Sequence, residues 1–145
     1  MRQRQRAAIY ERSARGDLDG VRAVHRRYLA LAAWIAEQPS DLVHTHSYFD
    51  CGYPATSSTR DRAGLRNVLA DARTHTFDVL VVYDLGRLAR SPGMLVGLLD
   101  ELAAARVWLC SITDRLDTST GARLLSLLTM FANHETANPQ PGGQC

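Results

Sequence analysis

Three short groups of residues in this chain have the types and spacing to act on a phosphate. The first is Tyr10-Glu11-Arg12-Ser13, where an apolar run stops at an arginine and a serine. A serine hydroxyl becomes a nucleophile when its surroundings activate it. An arginine beside it can grip an anion with two parallel N–H donors. The second group is Gly86-Arg87-Leu88-Ala89-Arg90-Ser91, whose arginines share a face if the segment turns helical. The third is Asp61-Arg62-Ala63-Gly64-Leu65, where Asp61 is expected to cap a helix that Arg62 opens. Taken singly, each group is also explained by a polar strand end or by surface arginines closing helix ends.

The elements that must position these groups alternate. Strands are expected at about 7–12, 42–49, 77–84 and 106–112. The third of these, Phe-Asp-Val-Leu-Val-Val-Tyr-Asp, is apolar on both faces, as a central parallel strand must be. Helical spacing covers 20–37, with Val21, Val24, Tyr28, Leu31 and Ile35 in phase. Further helices are expected at 61–74, from Ser91-Pro92 to about 105, and at about 121–135. Between the last two strand and helix signals, residues 113–121 read as a loop. The tail at 136–145 has no core-forming pattern and is expected to be disordered. This alternation predicts one α/β domain over 1–135, with a mostly parallel central sheet flanked by helices in flavodoxin-like alternation. Such sheets build sites beyond the carboxyl ends of their strands. Those ends carry Arg12 and Ser13, then Asp50, then Arg87 and Arg90, then Thr113 and Asp114, with Arg62 on the same edge. Four arginines and a serine on one edge predict an anion site.

Composition narrows the classes. The 145 residues carry a net charge of +2, and all 17 basic residues are arginine. Residues 1–27 concentrate the positive charge, with eight arginines against Glu11, Asp17 and Asp19. No apolar run is long enough to span a membrane. Three scattered cysteines fit neither a zinc site nor a disulfide framework, and they point to a reducing, cytoplasmic compartment. No phosphate-binding glycine-rich loop is present, which weakens a nucleotide-binding reading. His44, His46 and Asp50 share strand parity and could in principle meet a metal, but polar-face histidines are the commoner explanation, and no metal is expected. Cys51, next to Asp50, could be a reactive thiol.

In this order the motifs resemble the catalytic domain of the serine recombinases, the resolvase/invertase family. The matching residues are Tyr10-Glu11-Arg12, Phe49-Asp50, Asp61-Arg62-Ala63-Gly64-Leu65, Arg87-Leu88-Ala89-Arg90-Ser91, Asp117-Thr118-Ser119-Thr120 and Ala132-Asn133-His134-Glu135. The resemblance covers about residues 7–135. It implies that a serine attacks a DNA phosphodiester, forms a phosphoserine link and exchanges strands within a tetramer, without metal or cofactor. On this reading Ser13 is the nucleophile. Arg12, Arg62, Arg87 and Arg90 surround the phosphate, and Asp50 lies on the same DNA-binding edge.

Three departures qualify the resemblance. The family serine stands two residues after the first arginine, at the position of Ala14, so Ser13 is one residue early. In a regular strand it would face away from Arg12 unless a bulge or turn re-aims it. Gly86 replaces the family's aspartate, and Asp84 stands two residues earlier, ~6–7 Å away in an extended chain. The family also continues into a long helix and a DNA-binding domain. This chain stops ten residues after Glu135, so no C-terminal DNA-binding domain is expected, and DNA binding is expected to be weak and salt-sensitive. Dimers or tetramers are implied by the family. Two readings follow: a recombinase catalytic domain, or a non-catalytic relative that acts through protein or weak DNA contacts. An unrelated anion-binding domain ranks below both.

Overall fold

A computed structural model describes residues 4–38, 41–54 and 57–118. The helix expected at about 121–135, the tail at 136–145 and the family-pattern residues 119–120 and 132–135 lie outside the described residues. The elements run β1 (Gln5–Ser13), α1 (Leu18–Glu37), β2 (Leu42–Cys51), α2 (Ala63–Arg73), β3 (Val79–Val82), a 3-10 turn (Leu85–Arg87), α3 (Pro92–Ala104), β4 (Trp108–Ser111) and β5 (Leu116–Asp117). The sheet order is β2-β1-β3-β4-β5. The first four strands are parallel, and β5 returns antiparallel beside β4 from a stretch expected to be loop.

The pattern of apolar residues explains the layering. All four residues of β3 are buried, because helices cover both faces. Along β1, Ala7 and Ile9 pack with Leu31 and Ile35 of α1, while Ala8 and Tyr10 join the core beneath α2 and α3. This alternation decides which way each later β1 side chain points. Asp17 caps α1 through Gly20 N–H, and Ser91 caps α3 through Met94 N–H with Pro92 following it, as the sequence predicts for the latter.

The start of α2 departs from expectation. Its N-cap is Arg62, not Asp61, and Arg62 makes no side-chain capping bond. Asp61 instead accepts from the Ser58 hydroxyl at 3.0 Å. The helix is capped from across the fold by Asp50, whose carboxylate accepts from Gly64 N–H at 2.7 Å and Leu65 N–H at 2.9 Å. Asp50 reaches both because β2 ends directly beneath the helix, and a buried carboxylate there meets the positive end of the helix.

A bulge corrects a second expectation. The β1–β2 register runs Ala7 to His44 and then Ala8 to His46, leaving Thr45 as an extra residue. One extra residue reverses strand parity. His44 therefore packs edge-on against Tyr28 of α1, while His46 stacks on Tyr48, which itself packs on Phe77 beneath α2. The two imidazoles lie on opposite faces. No group of three metal-ligating side chains forms among the described residues.

Gly64 is where α2 approaches β2 most closely. A Cβ there would lie 2.6 Å from the Phe49 carbonyl oxygen and 2.9 Å from Asp50 Oδ2. The obstacle is backbone, which cannot move aside cheaply. Gly64→Ala should therefore destabilise the fold by about 1–3 kcal/mol despite its better helix propensity, measured as a fall in urea midpoint at unchanged slope.

Candidate active site

The sheet order places a switch point between β1 and β3, where connections leave in opposite directions and a crevice opens at the carboxyl ends. Three of the expected arginines come together there. Arg12 and Arg62 are buried, 2% and 0% exposed, respectively. Arg12 donates to the carbonyls of Gly86 at 2.9 Å, Arg87 at 3.1 Å and Tyr53 at 2.8 Å. Arg62 donates to the carbonyls of Leu88 at 2.6 Å and Arg87 at 2.8 Å, and to the Tyr10 hydroxyl at 2.7 Å. The Tyr10 hydroxyl in turn donates to Asp50 Oδ2 at 2.8 Å. Burial, with the Arg87 and Arg62 charges adding to it, pushes Arg12 down to about 10, so it stays charged at neutral pH. Burial raises the Tyr10 phenol well above its ordinary value. Both guanidiniums thus grip the turn at 86–88 from below.

Ser13 lies on the other face, following the alternation of β1. Its hydroxyl donates to the Arg15 carbonyl at 2.5 Å, and its own carbonyl accepts from Gly52 and Tyr53 N–H, both at 3.0 Å. It lines an open pocket of about 240 Å³ whose charged lining is Arg15, Asp19, Arg27 and Arg87, with Ala14 beside them. Arg87 is therefore the predicted arginine that shares space with Ser13. It donates from Nη1 to the Arg12 carbonyl at 3.0 Å. Arg90 is exposed at the start of α3, and its charge is felt at Arg12. Asp50 is 2% exposed and is engaged by α2 and Tyr10.

Asp84 is not extended away from the turn. The 3-10 turn folds it back, so that Asp84 Oδ1 accepts from Arg87 N–H at 3.1 Å and from Arg87 Nε at 3.2 Å. The ~6–7 Å separation expected of an extended chain does not apply. Gly86 leaves the space this needs, since a Cβ there would lie 2.9 Å from Asp84 Oδ1. Asp114 steadies the same turn by accepting from Leu85 N–H at 2.9 Å and from the Ser111 hydroxyl at 2.7 Å.

Two residues at the site were missed in the sequence. Glu11 is fully buried on the Ser13 face of β1 and accepts from Arg27 Nε at 2.6 Å. Arg27 also donates from Nη2 to the Arg12 carbonyl at 3.0 Å. Glu11 Oε2 has no hydrogen-bond partner among the described residues. Burial raises the Glu11 carboxyl above its ordinary value, against the pull of Arg27 and then Arg87. The available signal was a carboxylate inside an apolar strand, which needs a nearby cation.

Residues 7–140 match the family model for the resolvase N-terminal domain. The chain belongs to the resolvase family. The structure of this resolvase domain is similar to the N-terminal catalytic domain of TP901-1 integrase, at 22% identity and a TM-score of 0.71, covering 92% of this chain and 96% of that one. It is also similar to a resolvase family site-specific recombinase from Streptococcus pneumoniae, at 18% identity and a TM-score of 0.73, covering 93% and 90%. No curated protein matches the chain. The resolvase domain thus has the α/β fold of serine recombinase catalytic domains and is recombinase-like. No helix among the described residues is long and apolar enough to cross a membrane.

Two outcomes test this geometry. Gly86→Asp restores the family residue type, yet by displacing the Asp84 carboxylate from Arg87 it should lower stability by about 1 kcal/mol or less, read from the denaturant midpoint. Glu11 has a folded value raised above its unfolded one, so its stability contribution is full below the unfolded value and is lost as pH rises through the folded value. Unfolding free energies across that window should fall with pH more steeply in the native chain than in Glu11→Gln.

Proposed function

We propose that this resolvase domain cleaves and rejoins DNA strands, with Ser13 as the nucleophile at the β1–β3 switch point. The supporting observation is the pocket that Ser13 shares with Arg87 and Arg27 at the carboxyl end of β1. A phosphodiester seated there meets guanidinium groups and a hydroxyl together. The Ser13 oxygen attacks phosphorus, one P–O bond to the sugar breaks, and a phosphoserine link and a sugar hydroxyl result. The reverse attack by a sugar hydroxyl reseals the strand. The Ser13 bond to the Arg15 carbonyl contributes about 1 kcal/mol net, which a bound phosphate can replace.

The arginines divide the work. Arg87 contacts the phosphate, where charge develops in the transition state. Arg12 and Arg62 hold the turn that presents it. Arg90, exposed beside them, meets neighbouring backbone phosphate. Asp50 acts through α2 and Tyr10 rather than on the anion. The partners in this reading are DNA and further copies of the chain, as dimer or tetramer, in the cytoplasm, with no metal or cofactor.

A second reading, a non-catalytic relative, is favoured by one observation. The Ser13 hydroxyl is tied to its own turn on the face opposite Arg12, while Ala14 occupies the expected serine position.

Fusing the chain to a sequence-specific DNA-binding domain and presenting the matching target removes weak DNA binding as an obstacle. A covalent protein–DNA adduct that survives denaturing gels should form, Ser13→Ala should abolish it, and Arg87→Gln should reduce its rate by ~10²-fold or more. No adduct from the fusion, or one that persists in Ser13→Ala, sinks the cleavage reading. Gain of an adduct only in Ala14→Ser would establish the second.

A further inference from the structure

The sequence points to Arg12 and Arg62 as phosphate ligands, yet both are buried and bonded to carbonyls. Arg27 of α1 lines the Ser13 pocket with Arg87, whereas Arg15, also on its lining, is engaged by Asp17 and Asp19. Arg27 and Arg87 approach the Arg12 carbonyl from two sides, each with an N–H at 3.0 Å. Each is also steadied by a carboxylate, Arg27 by Glu11 at 2.6 Å and Arg87 by Asp84 at 3.2 Å. Arg27 and Arg87 remain 20% and 22% exposed, and both line the Ser13 pocket. Two cations converging on one neutral oxygen leave N–H donors and charge in excess of what that carbonyl can take.

We infer that Arg27 and Arg87 together form the phosphodiester seat beside Ser13, with Glu11 and Asp84 as the positioning residues that aim them. This deepens the proposed function and rests on it. Arg27 is a phosphate-contacting residue outside the motifs that carry the family resemblance. Glu11 is well suited to a positioning role, being fully buried and fixed on β1 two residues before Ser13. Its second oxygen, unpartnered among the described residues, makes the Arg27 tether its main electrostatic anchor.

The test uses the full chain and a labelled mixed-sequence DNA duplex, with binding followed by fluorescence anisotropy from low to moderate salt. Thermal melting checks that each variant folds. Arg27→Gln should weaken binding by about tenfold or more and flatten the plot of log affinity against log salt. Because both arginines hold one phosphate, the Arg27→Gln/Arg87→Gln double variant should lose less than the product of the two single effects. A folded Arg27→Gln chain with unchanged affinity and slope overturns the inference, as does a double variant whose loss equals that product. If Arg27→Gln does not fold, Glu11→Gln decides. Without the carboxylate that aims it, Arg27 should hold phosphate less well, so duplex binding should weaken several-fold although a negative charge has been removed, and unchanged or tighter binding overturns the inference. The covalent-adduct assay reports separately: binding effects without an adduct reject cleavage and keep the seat, whereas an adduct indifferent to Arg27 rejects the seat and keeps cleavage.

Discussion

Two buried arginines hold this domain's functional edge together. Arg12 rises from β1 and Arg62 from the start of α2, and both close on the carbonyls of Gly86, Arg87 and Leu88. Removing guanidiniums from water is costly unless their donors are satisfied. Here the turn after β3 supplies backbone oxygens, and Tyr10 and Asp50 complete the network around Arg62. The consequence is mechanical: β1, β2, α2 and the β3–α3 turn are pinned to one another through a small set of polar contacts. Losing either guanidinium would leave carbonyls beneath the turn without their donors.

The two faces of β1 therefore carry different duties. The even-numbered side, Tyr10 and Arg12, builds the support. The odd-numbered side, Glu11 and Ser13, faces α1, and Ser13 borders the open pocket. Backbone and side chain also trade roles here. Arg12 uses its side chain to hold the turn and its carbonyl to collect Arg27 and Arg87. The separation is what puts Ser13 beside Arg87 without putting it beside the Arg12 guanidinium.

The departures from the family pattern look different once the turn is folded. Gly86 in place of an aspartate reads as damage in the sequence. In the structure, a 3-10 turn brings Asp84 onto Arg87, and Gly86 keeps that path clear. The Ala14 departure has no such counterpart: Ser13 occupies the neighbouring position and obeys the strand's alternation. Beside Gly86 a carboxylate from Asp84 meets Arg87, and beside Ala14 the Ser13 hydroxyl lies on the α1 face of β1.

The sequence by itself determined the alternating α/β architecture, the doubly buried central strand, the Ser91-Pro92 helix start and the carboxyl edge where the charged groups gather. These are legible because hydrophobic period and capping chemistry act over a few residues. Only the tertiary structure decided the rest. It buried Arg12 and Arg62 against the carbonyls of the 86–88 turn, set Arg27 of α1 on the lining of the Ser13 pocket, and put Asp50 rather than Asp61 under α2. It also reversed the parity of His44 and His46 through one extra residue in β2. Each of these depends on which partner a long side chain finds across the fold, or on a register slip set by a neighbouring strand. Neither is encoded in local spacing, because the contact joins residues 14 to 75 positions apart.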